Sequence, residues 1–156
     1  MSKNHQILIT TKTKAYHLHD DECIELMCFV LKKMKQNKAN LSLSYVTTKQ
    51  ITAYNFQYRN KKTPTNVLSF TADLPADIAD KLEYKPIGDI VICPQIINME
   101  AKKQKKITDY HHKHIIIHSL LHLLGYDHIT NNDAKIMESI EIKLLSKVGI
   151  KNPYEC

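Results

Sequence analysis

Apolar and polar residues repeat along this chain with the periods of two kinds of secondary structure. QILIT is a short apolar run, LSLSYV alternates as a half-buried strand does, and TNVLSF and IGDIVIC are rich in residues that favour strands. Each of these four segments predicts a β-strand. DDECIELMCFVLKKMKQ places apolar residues at helical spacing, with acids in its first turn and lysines in its last, and predicts an α-helix.

Capping and breaking residues predict where the other helices begin and end. TTKQITAYNFQYRN opens with a threonine cap and predicts a helix that ends near Arg59. Pro94 suits the first turn of the helix PQIINMEAKKQKK. A separate helix, which carries HSLLHLLG, is expected to begin at Thr108–Asp109. NNDAKIMESIEIKLLSKVG predicts a final helix with Gly149 as its stop, whereas TADLPADIADKLEYKP predicts a loop.

The mixed order of these elements predicts an α/β or α+β fold with a small sheet packed against helices. Because no repeat and no linker divides the 156 residues, we expect a single compact domain over residues 1–156. The longest apolar run is too short to cross a bilayer and the N-terminus lacks a signal-peptide pattern, so we expect a cytoplasmic protein without a membrane segment. Cys23, Cys28, Cys93 and Cys156 form no Cys-x-x-Cys pair and are expected as reduced thiols.

The positive charge of the chain permits a polyanionic partner without requiring one. A formal net charge of +6 favours nucleic acid through phosphate neutralisation, although a solvated lysine coat has the same composition. Arg59 is the only arginine in a chain that otherwise uses lysine. This isolated arginine suggests a need for a planar donor that makes two-point contacts.

Three histidines in HSLLHLLGYDH have the spacing of a metal site. His118 and His122 lie one helical turn apart, so both imidazoles can reach one ion. Gly125 can take the left-handed conformation that ends the helix and turns His128 back toward them. Three nitrogen ligands leave a fourth position to water, as in catalytic zinc, so the pattern predicts one Zn²⁺ per chain, with another transition metal such as nickel or copper as the alternative.

The other histidines of this region are expected at the surface or facing substrate, and solvated. His114 and His122 would be about 12 Å apart along a helix axis, too far to bind one ion. His111, His112 and His114 are therefore all expected as surface or substrate-facing groups. Asp127 allows two interpretations: it accepts a hydrogen bond from a ligand imidazole, or it faces water at the end of the helix.

Ser119 bears on the chemistry of such a site. The histidine and glycine spacing is that of metzincin peptidases, which use a glutamate immediately after the first histidine as general base. A hydroxyl there cannot accept a proton near neutral pH, whereas phosphodiester cleavage needs a metal and a cation such as Arg59 to stabilise developing charge. A metallopeptidase with its base elsewhere and a non-catalytic module braced by zinc remain alternatives.

Three stretches, YNFQYRNKKTPTNVLSF, IGDIVICP and HSLLHLLGYDH, together resemble the YbeY family of bacterial endoribonucleases. The resemblance implies a compact α/β fold with a small mixed sheet and a zincin-like zinc site at His118, His122 and His128. It also implies that Arg59 is catalytic and that the substrate is single-stranded RNA. The expected role is maturation of the 3′ end of 16S ribosomal RNA and ribosome quality control, with the small ribosomal subunit and associated factors as partners.

Some positions depart from the family pattern or allow a structural interpretation. The family usually has glycine in place of Ser119, aspartate in place of Asn66, and acidic residues where TTKQ stands here. None of these changes a histidine of the motif or Arg59. Gly88 is expected to permit close strand approach, and Asp89 to bond to nearby backbone.

Overall fold

The computed structural model describes residues 4–155. In chain order its elements are β1 (Gln6–Thr11), α1 (Asp20–Lys33), β2 (Ala39–Tyr45), α2 (Thr48–Arg59), β3 (Val67–Thr71), α3 (Ala76–Ala79), β4 (Lys85–Ile92), α4 (Pro94–Lys103), α5 (Thr108–Leu123) and α6 (Asn131–Lys147). Each strand and helix expected from the sequence is present. The expectation of a loop over residues 71–86 is wrong in part, because it contains α3 and because pairing with β2 extends β4 back to Lys85.

The four strands form one mixed sheet in the order β1-β2-β4-β3. β1, β2 and β4 run parallel, and β3 pairs antiparallel with β4 at one edge. The parallel pairs need crossover connections, and α1 and α2 lie in the two connections that lead into and out of β2. The small mixed sheet with its helices confirms the predicted α+β class.

Alternating side chains of β4 divide the core between the two faces of the sheet. Ile90 and Ile92 belong to the larger cluster, together with buried residues of α1, α4, α5 and α6. Val91 belongs to a smaller cluster with Ile51 of α2 and Leu68 of β3. Helices α2 and α5 therefore cover opposite faces of the sheet.

Helix α5 lies within the larger cluster and contacts α1, α4, α6, β3 and β4. At Gly88 a Cβ atom would stand 2.2 Å from the carbonyl oxygen of Phe70 and 2.8 Å from Cδ2 of Leu123. The expectation that Gly88 permits close approach is confirmed, and the approach involves the end of α5 as well as β3. Within the described part of the chain the side chain of Asp89 accepts from the hydroxyl of Ser42, its cross-strand neighbour, at 2.6 Å, and not from backbone as expected.

None of the helices within residues 4–155 combines the length and the apolar composition that crossing a membrane requires. Cys23, Cys28 and Cys93 are buried and free, whereas Cys156 lies outside the described residues. Burial raises the pKa of the Cys23 thiol to about 12. This thiol is therefore protonated at neutral pH.

Candidate metal centre

The end of α5 and the loop behind it bring three imidazoles together. One nitrogen from each of His118, His122 and His128 lies within 4.8 Å of the other two, and the Nε2 atoms of His118 and His122 are 3.1 Å apart. His118 and His122 are half-buried and His128 is exposed, so the group is open to solvent. The structure thus brings the three predicted ligands to one point.

A glycine turn at the end of α5 directs His128 back toward the helix. Gly125 has a φ of +100° and donates its N–H to the carbonyl of His122 at 3.1 Å, while Tyr126 donates to the carbonyl of Leu121 at 3.1 Å. These two bonds form the Schellman arrangement, in which the residue after the helix is left-handed. An added Cβ on Gly125 would meet nothing within 4 Å, so backbone conformation rather than space requires glycine here.

Hydrogen bonds behind the ligands determine which nitrogen of each ring faces the site. Nδ1 of His118 lies 3.2 Å from Oε2 of Glu141, and Nδ1 of His122 lies 2.9 Å from the carbonyl oxygen of Tyr126. A carboxylate and a carbonyl only accept hydrogen bonds, so each Nδ1 carries the proton and each Nε2 presents a lone pair. The 3.1 Å between the two Nε2 atoms therefore separates two lone pairs. A cation bound by both nitrogens removes their repulsion.

Burial and neighbouring groups set the protonation states that metal binding requires. Burial lowers the pKa of His122, and the neighbouring imidazoles of His118 and His128 lower it further, so its ring is neutral at neutral pH. Burial alone would raise the pKa of Glu141, but hydrogen bonds from His114 and His118 outweigh it and lower the pKa to about 2. Nitrogens that bind one tetrahedral ion at about 2.05 Å are about 3.3 Å apart, close to the observed separation. The three imidazoles fit a divalent transition metal.

The C-terminal end of α2 positions Arg59. A capping box fixes the start of this helix, and Asn60 ends it in the left-handed conformation with a φ of 56°. The buried side chain of Asn55 donates to the carbonyl of Thr63 at 2.8 Å and ties the following loop to the helix. Arg59, the last helical residue, is left exposed at this end.

Arg59 and the three histidines line the same cleft, which has a volume of about 460 Å³. The rest of its wall comes from β3 and the loop before it, from α5 and from the C-terminal turn (residues 152–155): Thr65, Asn66, Val67, Leu68, Ser69, His114, Ile115 and Tyr154. No carboxylate is among these described lining residues, and Arg59 has no ion-pair partner within residues 4–155. The guanidinium can therefore bind an anion that enters the cleft.

Ser119 and Asn66, the two departures nearest the site, both have structural partners. Ser119 is 0% exposed and its hydroxyl donates to the carbonyl of Ile116 at 2.9 Å, so it is not placed to act as a base. Asn66 donates its amide to Oε1 of Glu100 at 3.1 Å. An ionised aspartate at this position could not donate and would repel the Glu100 carboxylate.

The prediction that His111, His112 and His114 are solvated is wrong. These residues are 5%, 0% and 8% exposed, because helices and strands pack around α5 on almost every side. Their Nε2 atoms bond to polar side chains: Glu100 at 3.0 Å, Asn98 at 2.7 Å and Glu141 at 2.7 Å, respectively. His114 also lines the cleft, as the substrate-facing alternative expected, and it lies outside the three-histidine group.

The histidine motif does not predict two groups that bond to the rings of the candidate ligands. They are the carboxylate of Glu141 and the carbonyl of Tyr126. Asp127 does not take this role, since it accepts from the backbone N–H of Ile129 at 3.3 Å and so belongs to the turn. A signal for Glu141 is present in the sequence, because it stands on the buried stripe of α6 with Met137, Leu144 and Leu145. A carboxylate on an apolar stripe indicates a buried hydrogen-bond partner.

Comparisons with known proteins identify the family to which this chain is related. A family model described as endoribonuclease YbeY matches residues 6–149. Endoribonuclease YbeY of Francisella philomiragia is 45% identical over 129 residues, which cover 81% of this chain and 82% of the relative. Endoribonuclease YbeY of Francisella tularensis subsp. tularensis is 43% identical over 133 residues, which cover 85% of this chain and 77% of the relative.

The fold is also shared with a solved structure. The solution structure of TM1509 from Thermotoga maritima matches with a TM-score of 0.59 over 92% of this chain and 89% of that chain, at 23% sequence identity. This likeness concerns the fold alone. Membership follows from the family model, which spans residues 6–149, and from the curated relatives. The chain therefore belongs to the YbeY family of endoribonucleases.

Proposed function

We propose that this chain is a zinc-dependent endoribonuclease that cuts single-stranded RNA, matures the 3′ end of 16S ribosomal RNA and takes part in ribosome quality control in the cytoplasm. Residues 1–156 act as one domain, with the small ribosomal subunit and associated factors as partners. His118, His122 and His128 hold one Zn²⁺, and Arg59 binds the scissile phosphate. The observation that carries the proposal is one cleft that joins three imidazoles and an arginine with no ion-pair partner within residues 4–155, and no carboxylate is among its described lining residues.

The chain prepares the metal site through the orientation of its imidazoles. His118 and His122 direct Nδ1–H toward protein acceptors and Nε2 toward the site. When bound there, a divalent metal ion polarises a phosphoryl oxygen and lowers the pKa of water. Because the rings are held by hydrogen bonds and by the Gly125 turn, binding needs little rearrangement of the chain.

Arg59 supplies the second requirement of phosphodiester cleavage. A guanidinium matches two oxygens of a phosphate, and its charge stabilises the negative charge that develops during attack at phosphorus. No described residue of this cleft lining carries a carboxylate, and the carboxylates of Glu138 and Glu141 line an adjoining pocket that shares His118 and His128. The side of the site that contains Arg59 therefore suits a polyanion better than an acidic peptide.

The ends of the RNA products identify the nucleophile. Attack by an adjacent ribose 2′-hydroxyl leaves a cyclic phosphate on the upstream fragment, whereas attack by water does not. Ser119 accepts the proton in neither route, because its hydroxyl is buried and donates to the helix backbone. Mass spectrometry of the upstream fragment distinguishes the two routes.

Peptide hydrolysis by the metzincin route is less well supported. The residue after the first histidine is Ser119, and the nearby carboxylate of Glu141 is fully buried and already accepts three hydrogen bonds. Neither group can take a proton from water at the site. A non-catalytic module braced by zinc predicts that Arg59→Lys retains function in cells, whereas the enzyme requires the two-point donor and loses it.

Cleavage of a labelled single-stranded RNA that ends in the 16S 3′ sequence tests the proposal. The metal-loaded protein is compared with His122→Ala and Arg59→Ala, prepared in parallel and checked for folding by circular dichroism. We expect the unaltered protein to cut the RNA and both variants to lose the activity. Equal cleavage by all three preparations would contradict the site and indicate a contaminating nuclease. Hydrolysis of a peptide library without RNA cleavage would support the metallopeptidase instead.

A further inference from the structure

A buried network connects the metal ligands to the C-terminal turn. Glu141 of α6 is 0% exposed, and its Oε2 lies 3.2 Å from Nδ1 of His118. Its Oε1 lies 2.7 Å from Nε2 of His114 and accepts from the hydroxyl of Tyr154 at 2.9 Å. Two positions of α5 and the end of the chain thus meet at one carboxylate.

We propose that Glu141 is a positioning residue of the metal centre. Its carboxylate holds His118 with Nδ1 protonated and Nε2 directed at the ion, while His114 and Tyr154 hold the carboxylate. Partners behind metal-bound histidines fix ring orientation and the site of protonation in this way, and their loss weakens metal binding. The inference rests on the proposed function, since it takes His118 as a metal ligand.

The arrangement of donors gives Glu141 this role rather than that of a base. His114 and Tyr154 donate to one oxygen and His118 donates to the other, so both oxygens already accept hydrogen bonds. Without an acceptor behind Nδ1, His118 could move its proton to Nε2, and a protonated nitrogen cannot bind a metal. The carboxylate therefore acts on the metal through His118.

Tyr154 extends the network to the substrate cleft. Its side chain forms part of the cleft wall, and its hydroxyl donates to Glu141 at 2.9 Å. Its backbone N–H donates to Oδ1 of Asn152 at 2.8 Å, which shapes the turn that carries it. The C-terminal turn thus contributes both to the wall of the cleft and to the orientation of His118.

Glu100 of α4 offers a matched comparison, because it also pairs with a histidine of α5. Its Oε1 lies 3.0 Å from Nε2 of His111 and accepts from Asn66 at 3.1 Å. Both glutamates therefore pair with a histidine of α5, but His111 is not a candidate ligand. If such pairs only stabilise the fold, substitution of either glutamate has the same consequence for metal binding. If Glu141 positions a ligand, only its substitution weakens metal binding.

Metal affinity of the full chain tests the inference directly. Competition against a chromogenic chelator gives the affinity for Zn²⁺ of the unaltered protein, Glu141→Gln and Glu100→Gln. The glutamine amide accepts at one end only, and its oxygen best replaces Oε1, which serves two donors, so His118 faces the amide NH₂ and loses its acceptor. We expect Glu141→Gln to weaken binding by about 10- to 100-fold and Glu100→Gln to leave it near the unaltered value. Equal affinities for Glu141→Gln and the unaltered protein would overturn the inference.

Histidine nitrogen chemical shifts in the metal-free unaltered protein give a second test that needs no substitution. We expect His118 to carry its proton on Nδ1, and a proton on Nε2 would overturn the inference even if Glu141→Gln does not fold. The proposed function fails separately: a protein that binds Zn²⁺ at the three histidines but does not cut RNA contradicts the activity. In that case the affinities of the two glutamine variants still test Glu141.

Discussion

The two halves of α5 use histidine in opposite ways. In the N-terminal half, His111, His112 and His114 are buried and their Nε2 atoms bond to side-chain oxygens. In the C-terminal half, His118 and His122 bond to the protein through Nδ1, and their Nε2 atoms face each other at 3.1 Å. The bonded nitrogen of each ring therefore differs between the halves.

The positions of the unbonded ring nitrogens distinguish histidines that pack in the core from histidines that can bind a metal. The Nδ1 atoms of the three N-terminal histidines are buried without a partner, and they belong to no group of potential ligands among residues 4–155. The unbonded nitrogens of the C-terminal half meet at one point, together with His128. Among the described residues of this helix, only the half in which the free nitrogens converge forms a candidate metal site.

Removing one histidine from each half gives the largest expected difference. We expect His122→Ala to lower RNA cleavage by more than about 10³-fold, because the metal loses a ligand and its contribution amounts to several kcal/mol. His112→Asn should retain metal binding and cleavage at temperatures where it is folded. Cleavage rates and metal content of both variants check this, and an inactive, metal-free His112→Asn would break the comparison.

The stability of the N-terminal half should depend on pH through His112. Burial, reinforced by the charge of His111, lowers the pKa of His112 from 6.5 to about 4. As the pH falls between these values the unfolded chain takes up a proton that the folded chain does not, so stability present above pH 6.5 is lost toward pH 4. The loss is about 3 kcal/mol of the free energy of unfolding.

Urea unfolding of the metal-free protein across this pH range measures the effect. His112→Asn is the control, since asparagine does not titrate and should make the pH dependence shallower. The same decrease in both proteins would show that His112 does not remain neutral in the folded state.

Arg59→Lys tests whether the histidines at the C-terminal half of α5 are sufficient for RNA cleavage without a two-point donor. The lysine keeps the charge but loses the two-point contact, and we expect kcat/KM for RNA to fall by about 10- to 100-fold with metal content unchanged. Lys62→Gln is a matched control, because Lys62 follows Arg59 closely in the sequence but is not part of the described cleft lining. Its Nζ lies 4.9 Å from the centroid of the Phe56 ring. Similar losses in both variants would reduce the role of Arg59 to general charge.

The lysines at the end of α4 should have the smallest effect. Lys102, Lys103, Lys105 and Lys106 are not among the described residues that line the cleft. Replacing all four with glutamine should change kcat/KM by less than about threefold and reduce its salt dependence only slightly. A larger loss would indicate that RNA also runs over the N-terminal half of α5.

The parts of the site that could be predicted from sequence are those determined by local geometry. His118, His122 and His128 are joined by one helical turn and one glycine turn, so their spacing alone brings them together. Composition distinguishes Arg59 as the only arginine, whereas its place in the cleft depends on the capped end of α2.

Contacts between distant segments account for what could not be predicted. Glu141 reaches His118 only because α6 packs on α5, and Tyr154 reaches Glu141 only because the chain turns back after α6. The burial of His111, His112 and His114 depends in the same way on the elements that surround α5, which no local pattern reveals. The period of the sequence predicts which residues form a helix, but not how many of its faces are covered.

Titration of the chelated protein with Zn²⁺, with RNA cleavage measured at each step, tests the central claim most directly. The account predicts that cleavage is absent at the start, rises in proportion to bound metal and saturates at one ion per chain. His112→Asn should follow the same curve, and His122→Ala should remain inactive throughout. Cleavage before any metal is added, or full metal-dependent activity in His122→Ala, would contradict a catalytic metal centre in the C-terminal half of α5.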